Sequence, residues 1–190
     1  MQFIQAKSYT GCGPGRQVDL VVIHTMEAAE KPGTALLVAR WFAGATAPKA
    51  SAHYCVDDQT VIECVHEGDV AWAAPGANSN GVHIEHAGFA AQGSSGWADA
   101  YSQAMLARSA ALCADICKRH SIPIAKLGPD ELIKKERGVC GHVDVTHAFK
   151  KSDHTDPGPD FPWEQYLSLV RAGMAALDAP RPVVDPALSV

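Results

Sequence analysis

The stretch HVDVTHAFKKSDHTDPGPDFPW, residues 142–163, sets three histidines and three aspartates ahead of a Pro-Gly-Pro turn. Imidazole nitrogens and carboxylate oxygens are ligands for zinc, and a zinc that does chemistry takes three protein donors and leaves one position for water. His24 ends the apolar run VDLVVIHT, His142 follows GVCG, and Asp156 stands directly before Pro157. Together they could supply two nitrogens and one oxygen to a single tetrahedral ion. Pro157 fixes the chain beside Asp156, and a ligating carboxylate gains from being held in place. An ordinary turn, with Asp156 bonded to the backbone ahead of it, fits the same residues.

Such a set must be assembled by the fold, because the first two members lie far apart in the chain. VDLVVIHT (18–25) is β-branched and nearly all apolar, which predicts a central strand covered on both faces with His24 at its C-terminal end. GVHIEHA (81–87) alternates, so that His83 and Glu85 share one face and Val82, Ile84 and His86 the other. GTALLVARWFAG (33–44) reads as a helix closed by Gly44, and SAHYCVDDQTVIECV (51–65) as two strands joined by an acidic turn. Apolar residues recur at helical spacing between Ala98 and His120, giving the longest helix. Residues 129–136 suggest a short helix, 137–161 are read as mostly loop, and 162–178 as a helix opened by proline. No repeat or low-complexity tract is visible.

Composition limits the function classes. With 190 residues the chain is long enough for one domain with its own core, and no apolar run is long enough to cross a bilayer, so a soluble protein is expected. A net charge of -5 offers no basic field for a phosphate backbone, which argues against a nucleic-acid partner. The N-terminus lacks the cationic and apolar pattern of an export signal, so synthesis in a cytoplasm is expected. The six cysteines form no CxxC pair and are read as reduced, with Cys113 and Cys117 as small core residues one helical turn apart.

Five motifs in order, VVIHT, SAHYCVDDQTVIE, NSNGVHIEHAG, GHVDV and TDPGPDFPW, resemble those of the zinc-dependent N-acetylmuramoyl-L-alanine amidases, the family that includes the peptidoglycan recognition proteins. The likeness spans roughly residues 18–170. Its last part is most similar to amidase modules of endolysins from actinobacterial phages. The resemblance implies an α/β fold of mixed type: a central, mainly mixed β-sheet flanked by helices, as a single domain over 1–178. The Pro-rich residues 179–190 are read as a linker or tail. It further implies Zn2+ as cofactor and bacterial peptidoglycan as partner; no membrane partner is expected. It implies cleavage of the amide between the lactyl group of N-acetylmuramic acid and L-alanine by an activated water. A monomer is expected, made in a host cytoplasm and acting on the wall after release through the membrane.

Carried over position by position, the zinc ligands fall on His24, His142 and Asp156, and the catalytic glutamate of an I-G-I-E pattern falls on Glu85. Many relatives have a lysine two residues before the ligating aspartate as oxyanion support; His154 stands there. A histidine does that work only as a donor. Trp72, Asn80 and His83 are read as groove residues, His83 replacing the usual glycine and either lining the groove or packing beneath it. Other departures are Ala52, where phage relatives carry a functional tyrosine, and Ala73, where a histidine often follows the tryptophan. Cys140 is a rival ligand, His53 is read as structural, and His86 and His147 as surface groups or supports behind the ligands. Two alternatives stay open: a cytosolic amidase that recycles small muropeptides, and a peptidoglycan-binding protein without catalysis.

Overall fold

A strand covered on both faces must be apolar along its length, and all six residues of Leu20–Thr25 are buried. The computed structural model describes residues 1–13 and 15–179, so the proposed tail lies outside the described residues from 180 onward. The elements in chain order are β1 (Gln2–Phe3), β2 (Tyr9–Thr10), β3 (Leu20–Thr25), α1 (Thr34–Ala43), β4 (Tyr54–Val56), β5 (Val61–Glu63), β6 (Val70–Ala71), β7 (Gly81–His86), α2 (Ser94–Trp97), α3 (Ala100–His120), α4 (Pro129–Ile133), β8 (Gly138–Gly141), α5 (His142–Phe149) and α6 (Trp163–Asp178). Six strands form one sheet in the order β1-β5-β4-β7-β3-β8, and β2 and β6 form a separate antiparallel pair. The pairs β4–β7, β7–β3 and β3–β8 are parallel, while β4–β5 is antiparallel, so the sheet is mixed.

Strand alternation divides the side chains between two layers. Val21, Ile23, Val82 and Ile84 face α3 and α6 in the largest core, with Met105, Leu106, Ile116 and Tyr166 from the helices. Gly173 of α6 packs closely on α3, since a Cβ there would lie 3.1 Å from the Ala114 Cβ. Cys113 and Cys117 belong to this core, and all six cysteines are free thiols. On the other face, Cys55 and Ile62 meet Ala35, Val38, Ala39 and Phe42 of α1, and Leu20, Val22 and Cys140 meet Leu132 and Val145 of the α4 and α5 region.

The structure corrects one stretch of the sequence reading. Residues 137–161 are not mostly loop: Gly138–Gly141 pairs with β3 as the edge strand β8, and His142–Phe149 is helical. The strand is short and carries two glycines, so local pattern hides it; pairing with the apolar β3 defines it. Helix α5 follows without a linker, and Asp144 Oδ2 accepts the Gly141 N–H at 2.7 Å in a capping-box arrangement.

The hairpin read over 51–65 is present as β4 and β5, and the acidic turn between them has a long-range task. Asp57 is wholly buried. Its Oδ1 accepts from Gln59 N–H, Thr60 N–H and the Thr60 hydroxyl, closing the turn. Its Oδ2 accepts from Gly33 N–H and Ala35 N–H at the start of α1, where four backbone donors lack helical partners and negative charge is favoured. Replacing Asp57→Ala strands those donors in the interior. Urea unfolding should show a loss of about 3 kcal/mol or more, from several charge-assisted hydrogen bonds at once.

Candidate functional site

The three central parallel strands bring their C-terminal ends to one edge, which is where open α/β sheets place their ligand crevices. His24 is the second-last residue of β3, and Glu85 lies beside it in register on β7. His142 is the first residue of α5, directly after β8. Asp156 comes from the loop beyond α5, and its carbonyl accepts the Val143 N–H at 2.8 Å, tying that loop to the first turn of the helix.

His24, His142 and Asp156 are all buried, and one donor atom from each lies within 4.8 Å of the other two. His24 Nδ1 is 3.0 Å from Asp156 Oδ2 and His142 Nδ1 is 3.3 Å from Asp156 Oδ1. His142 Nδ1 nevertheless makes no hydrogen bond. An orphaned nitrogen aimed at a buried carboxylate is costly unless positive charge sits between them. Two imidazoles and one carboxylate suit zinc in number and kind, and this orphaned atom is what the structure adds to that fit. Burial alone would raise the Asp156 pKa, but the facing His142 and His24 rings reverse this and hold it below the usual carboxylate range. Burial pushes His142 down to about 4, against the opposing pull of Asp156, so its ring is neutral at pH 7 and able to ligate.

These three residues line an open groove of about 470 Å³ together with Glu85, His154, Glu27, Trp41 and Trp72. Glu85 is half-buried, its Oε2 is shut from solvent without a partner, and burial followed by repulsion from Asp156 and Glu27 raises its pKa well above normal. His154 stacks on His142 with ring centroids 4.1 Å apart, its side chain 58% exposed and its Nδ1 3.1 Å from Asp156 Oδ1.

The remaining sequence candidates separate. Trp72 lies on the groove wall, its Nε1–H donating to Thr10 Oγ1 at 2.9 Å. Asn80 does not join it: this residue precedes β7 at the far end of the strand, and its carbonyl accepts from Asp19 and Leu20 N–H groups. His83 shares Glu85's face but is wholly buried and outside the groove lining, so it packs beneath. Cys140 is buried among apolar residues, which pushes its thiol up and leaves it outside the donor cluster. His86 is no surface group: Nδ1–H donates to the His24 carbonyl at 3.0 Å and Nε2 accepts from Ser109 on the helical side of the sheet. His147 is exposed.

Sequence reasoning missed two groove residues. Trp41 is 52% exposed because it falls outside the α1 stripe of Ala35, Val38, Ala39 and Phe42, a signal that helical spacing already carries. Glu27 has no such signal. Its Oε1 accepts from Thr25 Oγ1 and Ala90 N–H, both at 2.7 Å, joining the end of β3 to the loop after β7.

A model of the N-acetylmuramoyl-L-alanine amidase family matches residues 14–159. The chain belongs to this family. An N-acetylmuramoyl-L-alanine amidase A from Achromobacter lyticus is 32% identical over 165 residues, covering 83% of this chain and 85% of that protein. The fold is likewise that of solved structures. The Staphylococcus aureus hydrolase AmiA in complex with its ligand superposes with a TM-score of 0.68 at 13% identity, over 93% of this chain and 83% of that one. An AmpD derivative gives 0.62 at 21% identity, over 89% and 93%. A mutant endolysin from Bacillus subtilis gives 0.59 at 14% identity, over 89% and 97%.

Within this amidase fold, the loop that carries Asp156 is seated against the loop after β7. Gly158 has φ +91, and a Cβ there would fall 1.8 Å from the Ala90 carbonyl oxygen. Gly158→Ala must therefore push the two loops apart, with a cost of about 2 kcal/mol or more from backbone strain and collision, measured by thermal unfolding. Below the site, His53 Nδ1 accepts the His83 N–H and its Nε2–H donates to the Asp69 carbonyl, so only the neutral ring satisfies both. Burial, aided by Arg16, lowers His53 to about 3. Above pH about 6.5 both folded and unfolded forms are neutral at this residue; below it the unfolded chain alone takes up the proton. Stability should thus fall by about 1.4 kcal/mol per pH unit between roughly 6.5 and 3 from His53 alone. Unfolding curves across that range should flatten by one proton in His53→Asn.

Proposed function

We propose that the chain is a zinc-dependent peptidoglycan hydrolase that cleaves the amide between the lactyl group of N-acetylmuramic acid and L-alanine of the stem peptide. The observation that carries this reading is the convergence of His24, His142 and Asp156 in the groove that Glu85 also lines. Family membership supports the same substrate and bond. His24 and His142 would hold the metal through Nδ1 and Asp156 through a carboxylate oxygen. When bound, zinc supplies a Lewis acid that lowers the pKa of a water from about 15.7 to about 7.

The chain's own groups do the rest. Glu85 takes the proton of the attacking water and returns it to the leaving L-alanine amine. His154 supports the oxyanion. With its Nδ1–H donated to the Asp156 carboxylate, Nε2 can donate only when the ring is protonated. Trp41 and Trp72 offer flat apolar surfaces on the walls of the groove to the sugar and peptide. Asn80, at the far end of β7, is not part of this proposal.

The setting we propose is the catalytic module of a phage endolysin, a single-chain monomer acting on polymeric wall. The wording of residues 141–163 supports it. Faster turnover of soluble muropeptide than of intact sacculi would favour the recycling alternative instead.

Digested cell wall should gain L-alanine amino termini without new reducing sugar ends; new reducing ends alone defeat the proposal. Purified protein should hold one zinc per chain, and His142→Ala should lose it along with wall clearing. Glu85→Gln should retain zinc and lose about 100-fold or more in kcat, the range for a general acid–base group. His154→Ala should lose about 100-fold, as for one oxyanion donor, and His154→Lys should recover most of it.

A further inference from the structure

A buried imidazole must place two nitrogens, and His83 places only one. The residue is wholly buried, and its Nε2 has no hydrogen-bond partner. Room for the ring is left by Gly81, where a Cβ would lie 3.2 Å from that same Nε2. An aliphatic or phenyl side chain would fill the space with no unpaired polar atom, so packing alone does not account for a histidine. The other nitrogen does. His83 Nδ1 lies 3.1 Å from His24 Nε2.

For His24 Nδ1 to offer a lone pair beside Asp156, the proton of its neutral ring must sit on Nε2, where it needs an acceptor. His83 Nδ1 is that acceptor when its own proton occupies the unpartnered Nε2. His142 shows the same division, with Nδ1 toward Asp156 and Nε2 3.4 Å from Ser152 Oγ. Behind His83, the His53 ring stacks at 5.5 Å and 16°. Both nitrogens of His53 are taken by the His83 N–H and the Asp69 carbonyl, so it holds the His83 ring without competing for its nitrogens.

We propose that His83 is a positioning residue for the metal centre. Its Nδ1 accepts the His24 Nε2–H and so fixes both the tautomer and the ring angle that present His24 Nδ1 to a divalent cation. The inference rests on the metal reading above. It assigns a role to the histidine that stands in place of the glycine of I-G-I-E, and it removes His83 from the substrate-contacting set.

The test uses the full chain and zinc alone, with affinity read by competition against a chromophoric chelator. His83→Phe keeps the volume and the backbone N–H to His53 but has no acceptor; its zinc affinity should fall about 10- to 100-fold, the usual effect of losing a ligand's outer partner. Its metal-free melting temperature should equal or exceed that of the parent. His83→Asn places an oxygen where Nδ1 stood and should recover affinity to within a few-fold. Zinc binding by His83→Phe as tight as the parent's, or by His83→Asn as weak as that of the Phe variant, overturns the proposal. Long-range 15N correlation spectra of the zinc-loaded parent should show His24 protonated at Nε2, and protonation at Nδ1 overturns it independently of any variant. A parent chain that takes up no zinc overturns the metal reading and this inference together; stoichiometric zinc with unchanged affinity in the Phe variant overturns the role of His83 alone.

Discussion

A buried carboxylate held between two imidazole rings, one of them with an unpartnered nitrogen, is an arrangement that favours positive charge at its centre. Asp156 occupies that position between His24 and His142, and the surrounding structure is arranged to keep it there. Asp156's own carbonyl is tied to the first turn of α5, Gly158 lets its loop lie flat on the Ala90 backbone, and Asp144 caps the helix that begins with His142. Lys126 secures this corner from outside, pairing with Asp144 at 2.7 Å and lying 4.6 Å over the Trp163 ring. Each of these contacts bears on the backbone that carries Asp156 or His142.

The sheet sets the other side of the site. Parallel pairing of β3 with β7 and β8 puts all three C-terminal ends on one edge, so His24, Glu85 and the start of α5 arrive together from distant parts of the chain. Alternation then decides layers: His24, His83 and Glu85 point to the groove side, while His86 points to α3 and α6 and meets Ser109 and Tyr166 there. One strand thus serves both the core and the site. Asp57 links a hairpin turn to the start of α1, and α1 carries Trp41 to the groove wall. That wall is thus tied through the start of α1 to a buried carboxylate in the β4–β5 turn.

Some of this was legible in the linear pattern and some was not. The apolar run before His24, the alternation around Glu85, the α1, α3 and α6 helices and the β4–β5 hairpin all carry local periodicity, and each is present. Strand β8 and helix α5 escaped because a four-residue strand with two glycines has no period of its own; β3 supplies its partner. Asn80 stands near Glu85 in its motif, but motif proximity says nothing about strand direction. Five residues of β-strand carry the chain roughly 16 Å, enough to cross from one edge of the sheet to the other.

By itself the sequence determined residue chemistry and facing. It supplied two histidines and an aspartate able to ligate, a glutamate able to move a proton, and strands whose alternation put His83 on the same side as Glu85. Tertiary structure decided which of nine histidines meet. His24 and His142 are joined through β-pairing, while His83 is turned to His24 and His86 to Ser109. The physical reason is range. Side-chain alternation is set by backbone geometry within a few residues, whereas the orientation of an imidazole nitrogen is set by whichever group the folded chain places against it.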